Sequence, residues 1–73
     1  MTHLYEIRLK EHLDHRWSDR FEGFALSYRE DGATVLVGPV CDQAALFGLL
    51  CRVRDLGLTL LAVFRVESED EHR

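Results

Sequence analysis

His12-x-x-His15, with Asp14 between the two imidazoles, is the stretch whose residue types come nearest to chemistry. Imidazole and carboxylate are common metal ligands, and histidines three apart share a face when the segment is helical. The other soft ligands are Cys41 and Cys51, the two cysteines of the chain. A helix between them would hold their Cα atoms roughly 15 Å apart, at about 1.5 Å per residue. A disulfide needs about 7 Å or less, so the two thiols cannot pair within one chain. They are also too far apart to serve one ion. A structural zinc wants four ligands, so the histidines are read as exposed loop residues and no metal or other cofactor is expected. Both thiols are expected to be free and to pack as small buried apolar groups. A thiol before a helix can acquire a lowered pKa, but Cys41 has no histidine or lysine beside it in sequence to support reactivity.

The carboxylates Asp14, Asp19, Glu22, Glu30 and Asp31 fall in turns and at helix ends, where capping and solvation account for them. No Ser/His/Asp arrangement in a recognisable turn, no Gly-rich phosphate loop and no Cys-x-x-Cys pair occurs. No catalytic residue is assigned, and an enzyme is not the leading reading. Arg52 and Arg54 fall near the end of a helix, where they complement its dipole. Arg8, Lys10 and Arg29 belong to the open side of a sheet. RNA-binding sheets carry stacking aromatics on that side, whereas here Phe24 and Tyr28 are assigned to the buried one. With 9 basic against 13 acidic residues and a net charge of −4, the chain repels phosphate backbones. Neither nucleic acid nor an anionic membrane is therefore an expected partner.

The element that must position all of these residues lies between Gly38 and Gly57. Ala45, Leu46, Leu49, Leu50, Val53 and Leu56 recur there at three- and four-residue spacing, as one apolar helix stripe. Asp42 is placed to cap its start, and Gly57 to supply the left-handed residue that closes it. Before it, Leu4 to Lys10 alternates with Tyr5, Ile7 and Leu9 on one side, a half-buried strand. Leu13, Trp17 and Phe21 then recur every four residues in a polar stretch. They predict a short helix with Asp14 as its cap and Trp17 as a largely buried anchor.

Phe24 to Glu30 and Ala33 to Val40 flank Asp31-Gly32, a strong hairpin signal. A two-residue turn would pair Tyr28 with Val35, Leu26 with Val37 and Phe24 with Pro39. That register gathers the large side chains on one face and leaves Thr34, Leu36 and Gly38 on the other. Pro39 cannot donate to a ladder, so pairing is expected to stop there. Leu58 to Val66 forms the last strand, with Leu60, Ala62 and Phe64 on one face and Leu61 and Val63 on the other. A strand apolar on both sides expects cover on both.

The order is β, short helix, β, β, helix, β. It predicts an α+β fold of ferredoxin-like βαββαβ type with a reduced first helix. The expected sheet is four-stranded and antiparallel, in the order last, first, third, second, with the main helix on one face. Residues 1–66 make a single small domain, and 67–73 a charged solvated tail. No apolar run approaches the roughly 20 residues a membrane span requires. Glu6, Arg8 and Lys10 argue against a secretory signal in the first ten residues, so the expected location is cytoplasmic.

Gly38-Pro39-Val40, Asp42 to Leu46, Gly48-Leu49-Leu50 and Arg54-Asp55-Leu56-Gly57-Leu58 resemble a family of small stand-alone bacterial proteins. Trp17-Ser18, Phe21, Gly23 and the Asp31-Gly32 hairpin are also similar. The resemblance implies a self-contained bacterial domain and no particular activity, cofactor or catalytic residue. The leading function is a non-catalytic, self-associating interaction or regulatory module. Its partner is a second copy of itself as a homodimer or higher oligomer, or another protein. Leu60, Leu61, Ala62, Val63 and Phe64 are the predicted interface, with Phe47 and Cys51 as secondary contacts. The competing class is a small-ligand binder or dimeric ferredoxin-like enzyme with its pocket between subunits; fold alone does not decide between them.

Overall fold

The computed structural model describes residues 2–66. The charged tail expected at 67–73 lies outside the described residues. Four strands, β1 (His3–Leu9), β2 (Ala25–Tyr28), β3 (Thr34–Val40) and β4 (Leu60–Val66), form one antiparallel sheet in the order β2-β3-β1-β4. Read from the other edge, the order is β4-β1-β3-β2. One α-helix, α1 (Gln43–Asp55), and one 3-10 helix (His15–Phe21) are the other elements of the described residues.

Both ends of α1 follow from single residues. The Asp42 carboxylate accepts from the Ala45 N–H at 2.8 Å, satisfying one of the unpaired donors of the first turn. At the other end Leu58 N–H donates to Val53 C=O at 3.1 Å and Gly57 N–H to Arg54 C=O at 3.0 Å. Gly57 sits at φ 77°, so this is a Schellman closure. Leu49 and Val53 are buried, and Leu46, Leu50 and Leu56 are half-buried. Ala45 is exposed, so the stripe reaches the core only through its central and C-terminal part.

The core joins Ile7 and Leu9 of β1, Leu36 of β3, Leu13 and Phe21 around the 3-10 helix, and Leu49 and Val53 of α1. Leu36 sets the register of the hairpin. It lies opposite Ile7 on one side and Leu26 on the other, while Thr34 lies opposite Leu9 and Tyr28. The two-residue turn is thereby corrected. Arg29 N–H donates to Ala33 C=O and Gly32 N–H to Arg29 C=O, closing a three-residue loop. A two-residue type I′ turn needs positive φ at both central residues. Only Gly32 has it, at 90°, while the Asp31 carboxylate accepts from the Ala33 N–H at 3.0 Å. Leu36 and Thr34 therefore face the core, and Val35 and Val37 face the opposite side beside Arg8 and Glu6.

Pairing also continues past Pro39, to His3 opposite Val40. Ala33 directs its carbonyl to β2, so Val35, Val37 and Pro39 do the same by alternation. The β2 ladder ends at Val37, and the missing N–H of Pro39 points where no strand lies.

The first helix is 3-10 in character. Asp14 caps it by accepting from the Arg16 N–H. Trp17 is half-buried, not the largely buried anchor expected; its ring packs on the core and also lies 5.7 Å from the Arg20 guanidinium. Phe21 and Leu13 carry the buried anchoring instead. Cys41 and Cys51 are both exposed, which corrects their reading as buried apolar groups. Among the described residues no helix is long and apolar enough to cross a membrane.

Gly38 lies under the Phe24 ring. A Cβ there would sit 2.6 Å from that ring and 2.9 Å from the Gly23 carbonyl. Gly38→Ala is expected to cost about 1–3 kcal/mol in denaturant melts, as overpacking does. At Gly48 a Cβ meets nothing within 4 Å. Gly48→Ala should therefore stabilise by about 0.5–1 kcal/mol, the usual difference in a helix interior. Equal effects at the two glycines would mean the Phe24 ring does not lie on Gly38.

Candidate functional site

β4 is an edge strand, hydrogen-bonded to β1 on one side only. Its register places Phe64 opposite Glu6, Ala62 opposite Arg8 and Val66 opposite Leu4, while Val63 lies opposite Ile7. Val63 therefore turns inward and packs on the core. Phe64 and Ala62 turn to the opposite face, which they share with Leu4, Glu6, Arg8, Val35 and Val37. Between Arg8 and Leu9 the ladder slips by one, leaving Leu61 without an opposite residue and pairing Leu60 with the core-facing Leu9. Leu60 is thereby placed on the helix side of the sheet, which corrects the simple alternation that set it on one face with Ala62 and Phe64. That bulge is a common way for an edge strand to twist away from further pairing. Leu60, Leu61 and Phe64 are 42%, 53% and 45% exposed, and Leu4 48%.

The polar part of this face is internally compensated. Arg8 Nε donates to Glu6 Oε2 at 2.6 Å, and the Arg8 guanidinium carbon lies 4.8 Å from the centre of the Phe64 ring. The Arg8 stem helps to shield Val35, which is only 9% exposed although it faces away from α1. Among the described residues no helix lies across this side of the sheet. Phe47, 56% exposed, and Cys51 project from α1, on the other side. One contact through the face of Phe64 and Ala62 does not take them in.

The candidate metal stretch is used structurally. His12 Nδ1 hydrogen-bonds to the Gly32 carbonyl at 3.0 Å, and its ring stacks on Tyr28 with centroids 4.3 Å apart. The Tyr28 hydroxyl donates to the Leu13 carbonyl. His15 opens the 3-10 helix and its carbonyl accepts from Ser18 Oγ. Among the described residues no three His, Cys, Asp or Glu side chains gather as a metal site. Arg52, read as a dipole partner, also ties two elements together. Its Nη1 donates to the Arg20 carbonyl at 3.0 Å, joining α1 to the last turn of the 3-10 helix.

One polar group that sequence reasoning passes over is Glu11. Its two carboxylate oxygens accept from the Thr59 backbone N–H and the Thr59 hydroxyl, both at 2.8 Å. These bonds favour the anion and hold the Glu11 carboxyl below its ordinary range, the backbone N–H contributing most. The partners are 48 residues apart in the chain, so no local spacing could signal the pair.

The sheet covered by helices on one side, and apolar with a compensated charge pair on the other, defines a small α+β domain. The model of a domain of unknown function, DUF8691, matches residues 4–64, and the chain belongs to that family. No curated protein and no solved structure matches it.

A carboxyl with a lowered folded pKa contributes stability above its unfolded pKa, and that contribution is lost as pH falls through the folded value. Glu11→Gln should lower the thermal midpoint at neutral pH, and the gap to the native chain should close below the ordinary carboxylate range. A gap that stays constant into acid would show that the Glu11 charge is not what Thr59 holds.

Proposed function

We propose that the protein is a non-catalytic, self-associating interaction or regulatory module, acting as a homodimer through β4 and the open face of its sheet. We read its chain path as ferredoxin-like βαββαβ, with the first helix reduced to the 3-10 segment. The observation that carries the proposal is the exposure of Leu61 and Phe64 on an edge strand, with Leu60 also exposed on that strand beyond its bulge. Contiguous apolar surface on an edge invites association, and a two-fold pairing with a second copy is the commonest way to bury it. Leu4, Ala62, Val37 and Val66 extend the same surface across β1, β3 and β4. The setting we propose is the cytoplasm of a bacterium, which the two unbridged thiols favour, since reducing compartments keep thiols free.

The chain mass is 8.5 kDa. Sedimentation equilibrium at micromolar concentration should return at least twice that mass. Phe64→Lys should shift the distribution to monomer while leaving the far-ultraviolet circular dichroism unchanged, because the ring lies outside the core. A folded native chain that stays monomeric at high concentration removes the proposal.

A further inference from the structure

A second surface lies on the helix side of the sheet and uses none of the β4 residues. Phe24, Pro39, Val40 and Leu49 wall a groove of about 490 Å³, with Gly48 and Arg52 of α1 along one edge. The volume falls within the range of small-molecule sites, about 300–1,000 Å³. Apart from the Arg52 guanidinium, no charged side chain lines it.

Arg52 is held but not neutralised. One of its five N–H donors is used on the Arg20 carbonyl, and among the described residues no carboxylate pairs with it. The tether fixes the planar fork at the groove, so less freedom is lost when the remaining donors find a partner. A guanidinium matches a carboxylate through two parallel N–H···O bonds. A single positive charge on a chain of net charge −4 is poorly suited to a multiply charged phosphate. Gly48 adds an independent sign. Glycine weakens a helix interior, and its missing side chain leaves the groove open where a Cβ would meet nothing within 4 Å.

We infer that this groove binds a small apolar monocarboxylate, its hydrocarbon body against Phe24, Val40 and Leu49 and its carboxylate on Arg52. The probes are naphthylacetate and its neutral counterpart naphthylethanol, titrated into the full chain and followed by amide NMR. Naphthylacetate should give saturable shifts confined to the amides around Val40, Gly48, Leu49 and Arg52. Naphthylethanol should bind at least about tenfold more weakly, the usual worth of a charge-assisted hydrogen bond. Arg52→Gln should abolish that preference. Gly48→Leu, at a position with open space, should block both probes in a chain that still folds. Phe64→Lys should leave the response unchanged, so failure here and failure of self-association are separable. Equal affinity for the two probes, an acid response that survives Arg52→Gln, or shifts centred on β4 would each overturn the inference.

Discussion

One helix must serve a four-stranded sheet, and that mismatch of areas governs the molecule. Strands spaced at about 4.8 Å make a sheet wider than the roughly 10 Å strip that one helix covers. α1 lies over the centre, where Leu49 and Val53 meet Ile7, Leu9 and Leu36. The rest of that face is closed by side chains of the connection after β1, chiefly Leu13 and Phe21. No second long helix is available among the described residues for the other face. Its apolar groups are left to the stem of Arg8 and to their own close spacing.

A short 3-10 segment can replace a helix only if its connection is pinned, and Thr34 does the pinning. Its side chain is fully buried, accepts from the Leu13 N–H at 2.9 Å and donates to the Glu11 carbonyl at 2.7 Å. Glu11 reaches on to Thr59, Lys10 N–H donates to the Thr59 carbonyl, and His12 reaches the hairpin at Gly32. One polar cluster thus ties β1, the hairpin and the start of β4 to the segment that carries Leu13. In that segment the Leu13 N–H and the Glu11 and Leu13 carbonyls all find partners, as burying backbone requires.

Local signals were readable where a single residue decides the geometry. Asp42 and Gly57 bracket α1 because a side-chain acceptor and a left-handed residue are local requirements, and Asp14 marks the 3-10 helix in the same way. The hairpin register was not readable from the segregation of large side chains. That rule assumes the largest groups face the core, whereas Leu36 is chosen by its neighbours Ile7 and Leu26 on two different strands. Val35 and Val37 are sheltered on the open face by Arg8 and Glu6 instead. The cysteines were misplaced for a related reason: composition expects them inside, while the helix rotation set by Leu49 and Val53 leaves Cys51 outside. Of the candidate interface, the apolar content of β4 was legible. The bulge that singles out Leu61 was not, because it depends on pairing with β1. The Arg52 groove was not legible either, since its walls come from Phe24 just before β2, from the end of β3 and from α1, and meet only in the fold.

The ion pair at the middle of the open face bears on what can cover it. A lone arginine there would oppose burial, since removing an unpaired charge from water is expensive. Glu6 already holds Arg8, and the ring of Phe64 lies against the guanidinium, so the pair enters an interface with its partner in place. The Coulomb gain does not repay full desolvation, and this pair is not a source of affinity. Affinity for any covering surface would have to come from apolar groups such as Phe64 and Leu4, with Glu6 and Arg8 setting which surfaces are tolerated. A partner presenting an unpaired charge at that point would compete for one member of the pair and strand the other. A second copy presents the same compensated pair, and the two-fold arrangement meets the constraint without a new charge.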